Sequence, residues 1–177
     1  MTYFISDTHF GHDKFFIYEK RGFKSIQEHD EMFIENFNKL VTANDVVYFL
    51  GDFTWKNPLD YFNRLNCKNW HLIKGNHDKG LHNALRSTNK ILSYTEGYKE
   101  IKINEQYITL SHFPLLCWEG SHRNAWQLYG HLHGREIPIE GKLKEVDLCA
   151  DHFRPYSYDE IVEIMNISPD NWDYLTM

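Results

Sequence analysis

The alternation of apolar and polar residues along the chain predicts short strands interleaved with helices. A strand is expected over residues 2–6, and the apolar run over residues 45–50 is typical of a central strand covered on both faces. Apolar side chains recur at helical spacing from Ser25 to about Val41, where Ser25 and Glu28 stand at capping-box spacing. The first part of the chain therefore predicts strands that alternate with a helix.

The second half of the chain is predicted to be richer in strands. Residues 98–103 and 106–111 flank Asn104 and Glu105 with alternating β-forming side chains, which predicts a hairpin. The remaining predicted elements are strands over residues 70–74, 127–129 and 143–149, a short helix opened by Asn57 and Pro58 through Leu65, and a final helix capped by Ser157 and Glu160. Because no linker or repeat divides the chain, we expect one α/β domain over residues 1–177.

The composition narrows the class of protein. Of the 177 residues, 42% are hydrophobic, which excludes a disordered chain. The net charge of −6 does not favour nucleic acid as a partner, and neither a membrane span nor a secretion signal is recognised. Cys67, Cys117 and Cys149 form no C-x-x-C pair, which argues against a disulfide framework and a zinc ribbon. We therefore expect a cytoplasmic protein.

The chemically distinctive residues are histidines that follow predicted strands together with Asp, Asn and Gly. These segments are Asp7-Thr8-His9, Gly51-Asp52, Gly75-Asn76-His77-Asp78, Ser111-His112 and Gly130-His131-Leu132-His133. Ligands of α/β sheets bind beyond the carboxyl ends of the strands, so we expect the five segments to converge on one site. An extended backbone would place Asp7 and His9 on the same side, with Thr8 pointing away.

The donor atoms of these segments indicate a metal centre. Carboxylate, amide and imidazole ligands without thiolate favour Mn²⁺, Fe²⁺ or Zn²⁺ over Mg²⁺. The set exceeds what one ion uses, whereas two ions that share a bridging carboxylate would use it fully. Two metals about 3.5–4 Å apart activate a bridging water for in-line displacement at phosphorus. The ligand set therefore predicts hydrolysis of phosphate esters.

The five ordered segments closely resemble the signature of the calcineurin-like metallophosphoesterase superfamily, which reads D-x-H, G-D, G-N-H-[DE], H and G-H-x-H. The opening sequence from Ser6 to His12 is similar to the small, cap-less bacterial and phage members. The resemblance implies an α/β fold of two facing β-sheets, a β-sandwich flanked by helices, with the metals at one edge.

The resemblance also implies residue roles. One metal would be held by Asp7, His9 and His133, the other by Asn76, His112 and His131, with Asp52 bridging them. His77 would be a general acid that faces the leaving-group oxygen, with Asp78 as its orienting partner. The family's segment before the last helix differs here, where residues 147–151 read Asp-Leu-Cys-Ala-Asp, so no substrate contact is assigned to it.

Two further residues are candidates for substrate binding. His12 either contacts the phosphate or only holds its loop. Arg123 lies on the segment between His112 and His131, which is expected to overhang the site, so its guanidinium could bind a phosphate oxygen. Trp126 on the same segment is expected to pack inward. The acidic helix face over residues 28–35 is expected to be solvated. The remaining histidines have no motif around them and are expected at solvated or helix-face positions: His29, His71, His82 and His152.

The short chain leaves no room for a cap domain, so an open site is expected. An open site suits phosphodiesters, nucleotides or nucleic-acid ends, and phosphodiesters of the nucleotide or cyclic-nucleotide type are the favoured class. The alternatives are a phosphomonoesterase or phosphoprotein phosphatase, a non-catalytic scaffold of the same fold, and a nuclease in a larger assembly, which the acidic net charge does not favour. The scaffold is disfavoured because His77 and the complete ligand set are present.

Overall fold

The computed structural model describes residues 1–148 and 153–171. Its first sheet has five strands in the order β4-β3-β2-β1-β9. These strands are β1 (Thr2–Ile5), β2 (Val46–Phe49), β3 (Asn69–Ile73), β4 (Ile91–Thr95) and β9 (Tyr156–Ser157). The first four are parallel, and β9 pairs antiparallel with β1 at the edge. As predicted, the apolar run of β2 forms the central strand.

The second sheet has four strands in the order β5-β6-β7-β8. They are β5 (Tyr98–Ile103), β6 (Gln106–Ser111), β7 (Trp126–Tyr129) and β8 (Leu143–Glu145). The strands β5 and β6 form the predicted hairpin, and β6, β7 and β8 run parallel. Asn104 and Glu105 have φ angles of 46° and 69°, consistent with the two positive φ angles of a type I′ hairpin turn.

The helices are α1 (Phe15–Tyr18), α2 (Ile26–Leu40), α3 (Pro58–Phe62), α4 (Leu81–Leu85) and α5 (Tyr158–Ile167), with short 3₁₀ turns at Glu19–Arg21, Arg86–Thr88 and Ser121–Arg123. Ser25 caps α2, and the complete predicted capping box of Ser157 and Glu160 begins α5. Asn57 caps α3 as predicted, but α3 ends before residue 65. No helix of the described ranges is both long and apolar enough to cross a bilayer.

Two apolar clusters hold the layers together. On one face of the first sheet, Phe33 and Phe37 of α2 pack with Phe49 and Trp70. On the other side, side chains of both sheets and of α5 share one cluster: Phe4, Leu50, Ile73, Ile108, Leu110, Leu128, Ile161 and Met165. The molecule is thus an α/β fold of two packed sheets flanked by helices. Trp126 is buried, as expected for an inward-facing aromatic residue.

The two sheets also meet through the main chain. The strand predicted over residues 143–149 ends at Glu145, because the chain then crosses to the first sheet, where Asp147 forms a bridge with Ser6. The amide of Ser6 donates to the carbonyl of Val146 over 3.1 Å. Cys149 lies outside the described residues. This crossing brings the carboxyl ends of strands from both sheets to one edge.

Candidate metal centre

The five polar segments converge at that edge, as expected, and are tied together by main-chain hydrogen bonds. The amide of Asp7 donates to the carbonyl of Gly51 over 2.8 Å, and the amide of Gly130 donates to the carbonyl of His112 over 3.0 Å. Across the sheets, the amide of His131 donates to Oδ2 of Asp7 over 2.9 Å. The loops therefore form one framework.

Several of the candidate ligands have an unusual backbone conformation. Asp7, His9, Asp52, His131 and His133 all have positive φ angles between 46° and 75°. Such conformations are unfavourable for residues with a Cβ and persist only where the surroundings fix them. The extended geometry predicted for Asp7 and His9 is therefore wrong. Tight left-handed turns aim these two side chains instead.

Glycines allow the loops to approach each other. A Cβ at Gly75 would collide with the carboxylate of Asp52, and a Cβ at Gly130 would collide with Oδ2 of Asp7. At these two positions the backbone lies directly against a candidate ligand, and glycine alone leaves the space.

The converging side chains form two groups with metal-ligand spacing. In the first group, Oδ1 of Asp7 lies 3.5 Å from Nε2 of His9 and 4.0 Å from Nε2 of His133. The second group contains Asp52, His112 and His131. Within each group, the ligand atoms lie within 4.8 Å of one another. Each group can hold one ion.

Asp52 lies between the two groups. Its Oδ1 accepts the amide of His77 over 2.8 Å, which fixes the carboxylate. Its Oδ2 is 3.8 Å from Nε2 of His9 in the first group and 3.5 Å from Nε2 of His112 in the second. One oxygen therefore faces both groups, as a bridging ligand must.

In the second group, Asn76 joins through its side-chain oxygen. Nδ1 of His112 donates to the carbonyl of Leu50 over 2.8 Å, which orients the ring. Its Nε2 lies 2.8 Å from Oδ1 of Asn76. A cation bound beside this pair could take both atoms as ligands.

The first group contains buried polar atoms that lack hydrogen bonds. Among the described residues, neither Oδ1 of Asp7 nor Nε2 of His9 has a hydrogen-bond partner, and both atoms are buried. Burial raises the pKa of Asp7 well above its usual value, with the nearby Asp147 adding to the effect, and burial lowers the pKa of His9. A divalent cation would satisfy both atoms at once, so the residues present fit a metal site.

His77 lies at the open side of the centre. Its side chain is 40% exposed, and its Nε2 is 4.0 Å from Oδ2 of Asp52. Asp78 does not orient the His77 imidazole as expected. Its carboxylate instead accepts three main-chain amides, those of Asp52, Phe53 and Gly75, over 2.8–2.9 Å. Asp78 therefore ties the loop after β2 to the loop after β3.

The two candidate substrate-binding residues are placed differently. The ring of His12 lies 5.7 Å from that of His9 and 4.2 Å from that of Trp55, so His12 is brought to the site. Burial lowers the pKa of His12 to about 4. Arg123 is exposed, lies 3.9 Å from Glu119 and precedes the start of β7, whereas the site lies beyond its end. The structure does not bring Arg123 to the site.

A buried arginine behind the first group was not predicted. The side chain of Arg21 is 1% exposed, and its Nη2 donates to the carbonyl of Asp7 over 2.8 Å and lies 3.8 Å from Oδ1 of Asp147. Oδ2 of Asp147 in turn lies 2.7 Å from Nδ1 of His133. Burial lowers the pKa of His133, but Asp147 and Asp7 outweigh it and the pKa is raised overall. Arg21 and Asp147 thus support two members of the first group.

The same network corrects the expectation for His29 and the acidic helix face. His29 is fully buried, with Nε2 2.8 Å from Nη1 of Arg21 and Nδ1 2.8 Å from Asp30. Asp30 is also buried and accepts the amide of Gly11 over 2.9 Å. The sequence of α2 did not predict the burial of His29 and Asp30, because their partner, Arg21, lies outside the helix.

The other motif-free histidines have ordinary structural contacts. His71 contacts Ser93 and stacks on Tyr48, and His82 stacks on Tyr94. Both side chains are partly buried. His152 lies outside the described residues.

Comparisons with known proteins agree with this architecture. A family model described as calcineurin-like phosphoesterase matches residues 2–175. An uncharacterised protein of Methanocaldococcus jannaschii is 29% identical over 174 residues, which cover 92% of this chain and 90% of that protein.

Among solved structures, a protein of unknown function from Aquifex aeolicus is similar with a TM-score of 0.71 and 26% identity, covering 93% of this chain and 98% of that one. An archaeal phosphodiesterase is more distant, with a TM-score of 0.48, 19% identity and coverage of 82% of this chain and 81% of that one.

Proposed function

Because the chain belongs to the calcineurin-like phosphoesterase family, we propose that it hydrolyses phosphodiesters of the nucleotide type at the centre around Asp52. Water adds to phosphorus, the ester bond from phosphorus to one oxygen breaks, and the products are a phosphomonoester and an alcohol. The observation that carries this proposal is the position of Oδ2 of Asp52, 3.8 Å from His9 and 3.5 Å from His112. That single oxygen faces both ligand groups.

The first group would hold one divalent ion through Asp7, His9 and His133, and the second would hold another through Asn76, His112 and His131. When bound, two such ions supply an activated water and neutralise the negative charge of the phosphate. The imidazole-rich donor set favours Mn²⁺, Fe²⁺ or Zn²⁺ over Mg²⁺. Arg21 and Asp147 hold the first group in place behind these ligands.

His77 is suited to protonate the leaving oxygen. The centroid of its ring lies 5.9 Å from that of His9 in the centre and 4.6 Å from that of the exposed Trp55. His77 therefore lies between the centre and the solvent-facing rim that Trp55 forms. A partly exposed imidazole in this position can donate a proton to the departing ester oxygen, which then leaves as the alcohol. We also propose that His12, whose ring lies 5.7 Å from that of His9, contacts the phosphate.

Replacement of His77 tests its proton transfer. For His77→Gln we expect kcat to fall by about 100-fold with an alkyl leaving group, because loss of a general acid typically costs 10²–10⁴-fold. A p-nitrophenyl leaving group needs little protonation, so the decrease in kcat with that substrate should be much smaller. Steady-state kinetics on both substrates, with the exposed His122→Gln as control, measure this. An equal loss on both substrates would contradict the assignment.

Hydrolysis itself is tested with metal-stripped protein reconstituted with Mn²⁺, Fe²⁺, Zn²⁺ or Mg²⁺. We expect turnover of bis(p-nitrophenyl) phosphate to exceed that of p-nitrophenyl phosphate, and Mg²⁺ to be the weakest activator. Faster turnover of the monoester would make the chain a phosphomonoesterase. Absence of turnover of either ester with every metal would reject the proposed activity.

A further inference from the structure

A cavity of about 300 Å³ opens beside His77, the residue proposed to protonate the leaving oxygen. Trp55, Lys56, His77 and Lys79 contribute to its lining. Its size is at the lower end of pockets that bind small molecules, so it has room for one compact group rather than a long chain. The proposed reaction assigns no role to this cavity.

The wall of the cavity carries an exposed aromatic surface. Trp55 is 47% exposed, and its ring lies 4.2 Å from His12 and 4.6 Å from His77. Its indole nitrogen lies 3.3 Å from Nδ1 of His9, which anchors the ring beside the centre. Phe16 is 46% exposed, and its ring centroid lies 5.9 Å from that of His12, so it extends this aromatic surface. A rigid exposed indole next to a reaction centre is suited to stack on a planar group.

Two lysines contribute positive charge to the lining of the cavity. Lys56 and Lys79 are exposed, and within residues 1–148 and 153–171 neither forms an ion pair. Asp78 also lines the cavity, but its two oxygens are occupied by main-chain amides of three residues. Two lysines without carboxylate partners therefore line a space that adjoins His77. This local charge contrasts with the net charge of −6 of the whole chain.

From these observations we propose that the cavity binds the leaving group of the substrate, and that this group is a nucleoside carrying a second phosphate. The base stacks on Trp55, and Lys56 and Lys79 bind the second phosphate. The substrate class is then a short oligonucleotide with a terminal phosphate on its leaving nucleotide. This inference rests on the proposed phosphodiesterase activity.

The first test compares three substrates of the Mn²⁺-loaded enzyme. They are a thymidine dinucleotide, the same molecule with an added 5′ phosphate, and the same molecule with an added 3′ phosphate. Product analysis identifies which nucleoside leaves. We expect kcat/KM to rise about tenfold when the added phosphate is on the leaving nucleoside, which is the scale of one favourable charged contact, and to change little when it is on the other.

Two pairs of variants locate the effect. The double variant Lys56→Ala, Lys79→Ala should abolish the preference for the added phosphate, whereas Lys39→Ala, Lys68→Ala at exposed positions elsewhere should retain it. Trp55→Phe and Trp55→Leu both lose the contact to His9, but only the former retains an aromatic ring. We expect kcat/KM for the dinucleotides to be about tenfold lower in Trp55→Leu than in Trp55→Phe, which is within the range of base stacking.

The outcomes separate this inference from the proposed function. Hydrolysis of bis(p-nitrophenyl) phosphate without any preference for the added phosphate would overturn the inference and leave the phosphodiesterase proposal intact. A preference that survives in the double lysine variant would also overturn it. Failure to hydrolyse either kind of diester with any of the four metals would reject the proposed function itself.

Discussion

The two ligand groups of the centre are held by different means. The first group is supported by buried side chains: Arg21 binds the carbonyl of Asp7, and Asp147 contacts His133. In the second group, the main chain positions His112 through the carbonyl of Leu50. The first group thus depends on a buried network of charged side chains, and the second depends on main-chain groups at the ends of strands. We therefore expect a substitution behind the centre to disable the first group, whereas the second group should be more sensitive to changes in its own ligands.

Asp52→Asn would break both groups together. The amide retains Oδ1 for the amide of His77, so the loop should stay folded. Because the negative charge between the groups is lost, we expect kcat/KM to fall by about 1,000-fold or more and metal content to drop in both sites. Kinetics and elemental analysis measure this, with the exposed Asp159→Asn as control. Retention of two ions and of activity would contradict the bridging role.

Asn76→Ala would weaken the second group alone. Oδ1 of Asn76 lies 2.8 Å from Nε2 of His112, so its loss removes one proposed ligand of the second group and leaves the first group untouched. We expect kcat to fall by about 100-fold and the metal content to approach one ion per chain. Elemental analysis after dialysis tests this, with Asn166→Ala on the exposed face of α5 as the matched control. Loss of both ions would show that the groups are not separable.

Arg21→Met would weaken the first group from behind. Removing the guanidinium leaves the carboxylate of Asp147 and the carbonyl of Asp7 without this contact, so we expect activity to fall by about 10- to 100-fold and one ion to be lost. The metal-free protein should also lose about 3 kcal/mol in its free energy of unfolding. Arg21→Lys should recover part of both quantities, and the exposed Arg86→Met is the control. Unchanged metal binding would reject a supporting role for Arg21.

Glu160→Gln gives the smallest expected effect, because this charge lies in a half-exposed network away from the centre. The hydrogen bond from Arg154 lowers the pKa of Glu160 to about 2, from an ordinary value of 4.5. A lowered carboxyl pKa stabilises the folded state above pH 4.5, and this contribution is lost as the pH falls towards 2. We expect Glu160→Gln to lose about 1 kcal/mol at pH 7, after allowance for solvent screening, and less at pH 3.

Urea unfolding at the two pH values measures this difference, and Glu163→Gln on the same helix serves as the control. If Glu160→Gln loses the same free energy of unfolding at pH 7 and at pH 3, the charge of Glu160 is not the source of the loss. Metal content should be unchanged, in contrast with Arg21→Met.

The sequence predicted the elements whose signals are local. The hairpin of β5 and β6 was predicted with its observed bounds, and the capping box of α5 was also recognised, because each depends on neighbouring residues. The half-exposed strand β4 and the two-residue strand β9 were missed, since short or half-exposed segments carry little periodicity.

The misplacement of Arg123 has a topological cause. The segment after His112 was expected to overhang the site because both of its ends, His112 and His131, belong to the centre. However, β6 and β7 are parallel, so the chain must return along the sheet before β7 begins, and Arg123 lies at that far end. The convergence of the five motifs was predictable because each one follows a strand.

The support behind the first group was not predictable from the sequence. Arg21 stands between charged and glycine residues, which is typical of an exposed turn, and its burial depends on α2 and on the chain crossing at Asp147. The left-handed conformations of Asp7 and His9 likewise arise from contacts between distant loops, which local propensity does not contain.

Titration of metal-free protein with Mn²⁺, followed by electron paramagnetic resonance, shows whether Asp52 joins two metal sites. We expect two equivalents to bind per chain and their spectrum to show spin coupling through a shared ligand, which Asp52→Asn removes. Binding of a single equivalent, or of two ions whose spectra remain independent, would rule out a shared carboxylate.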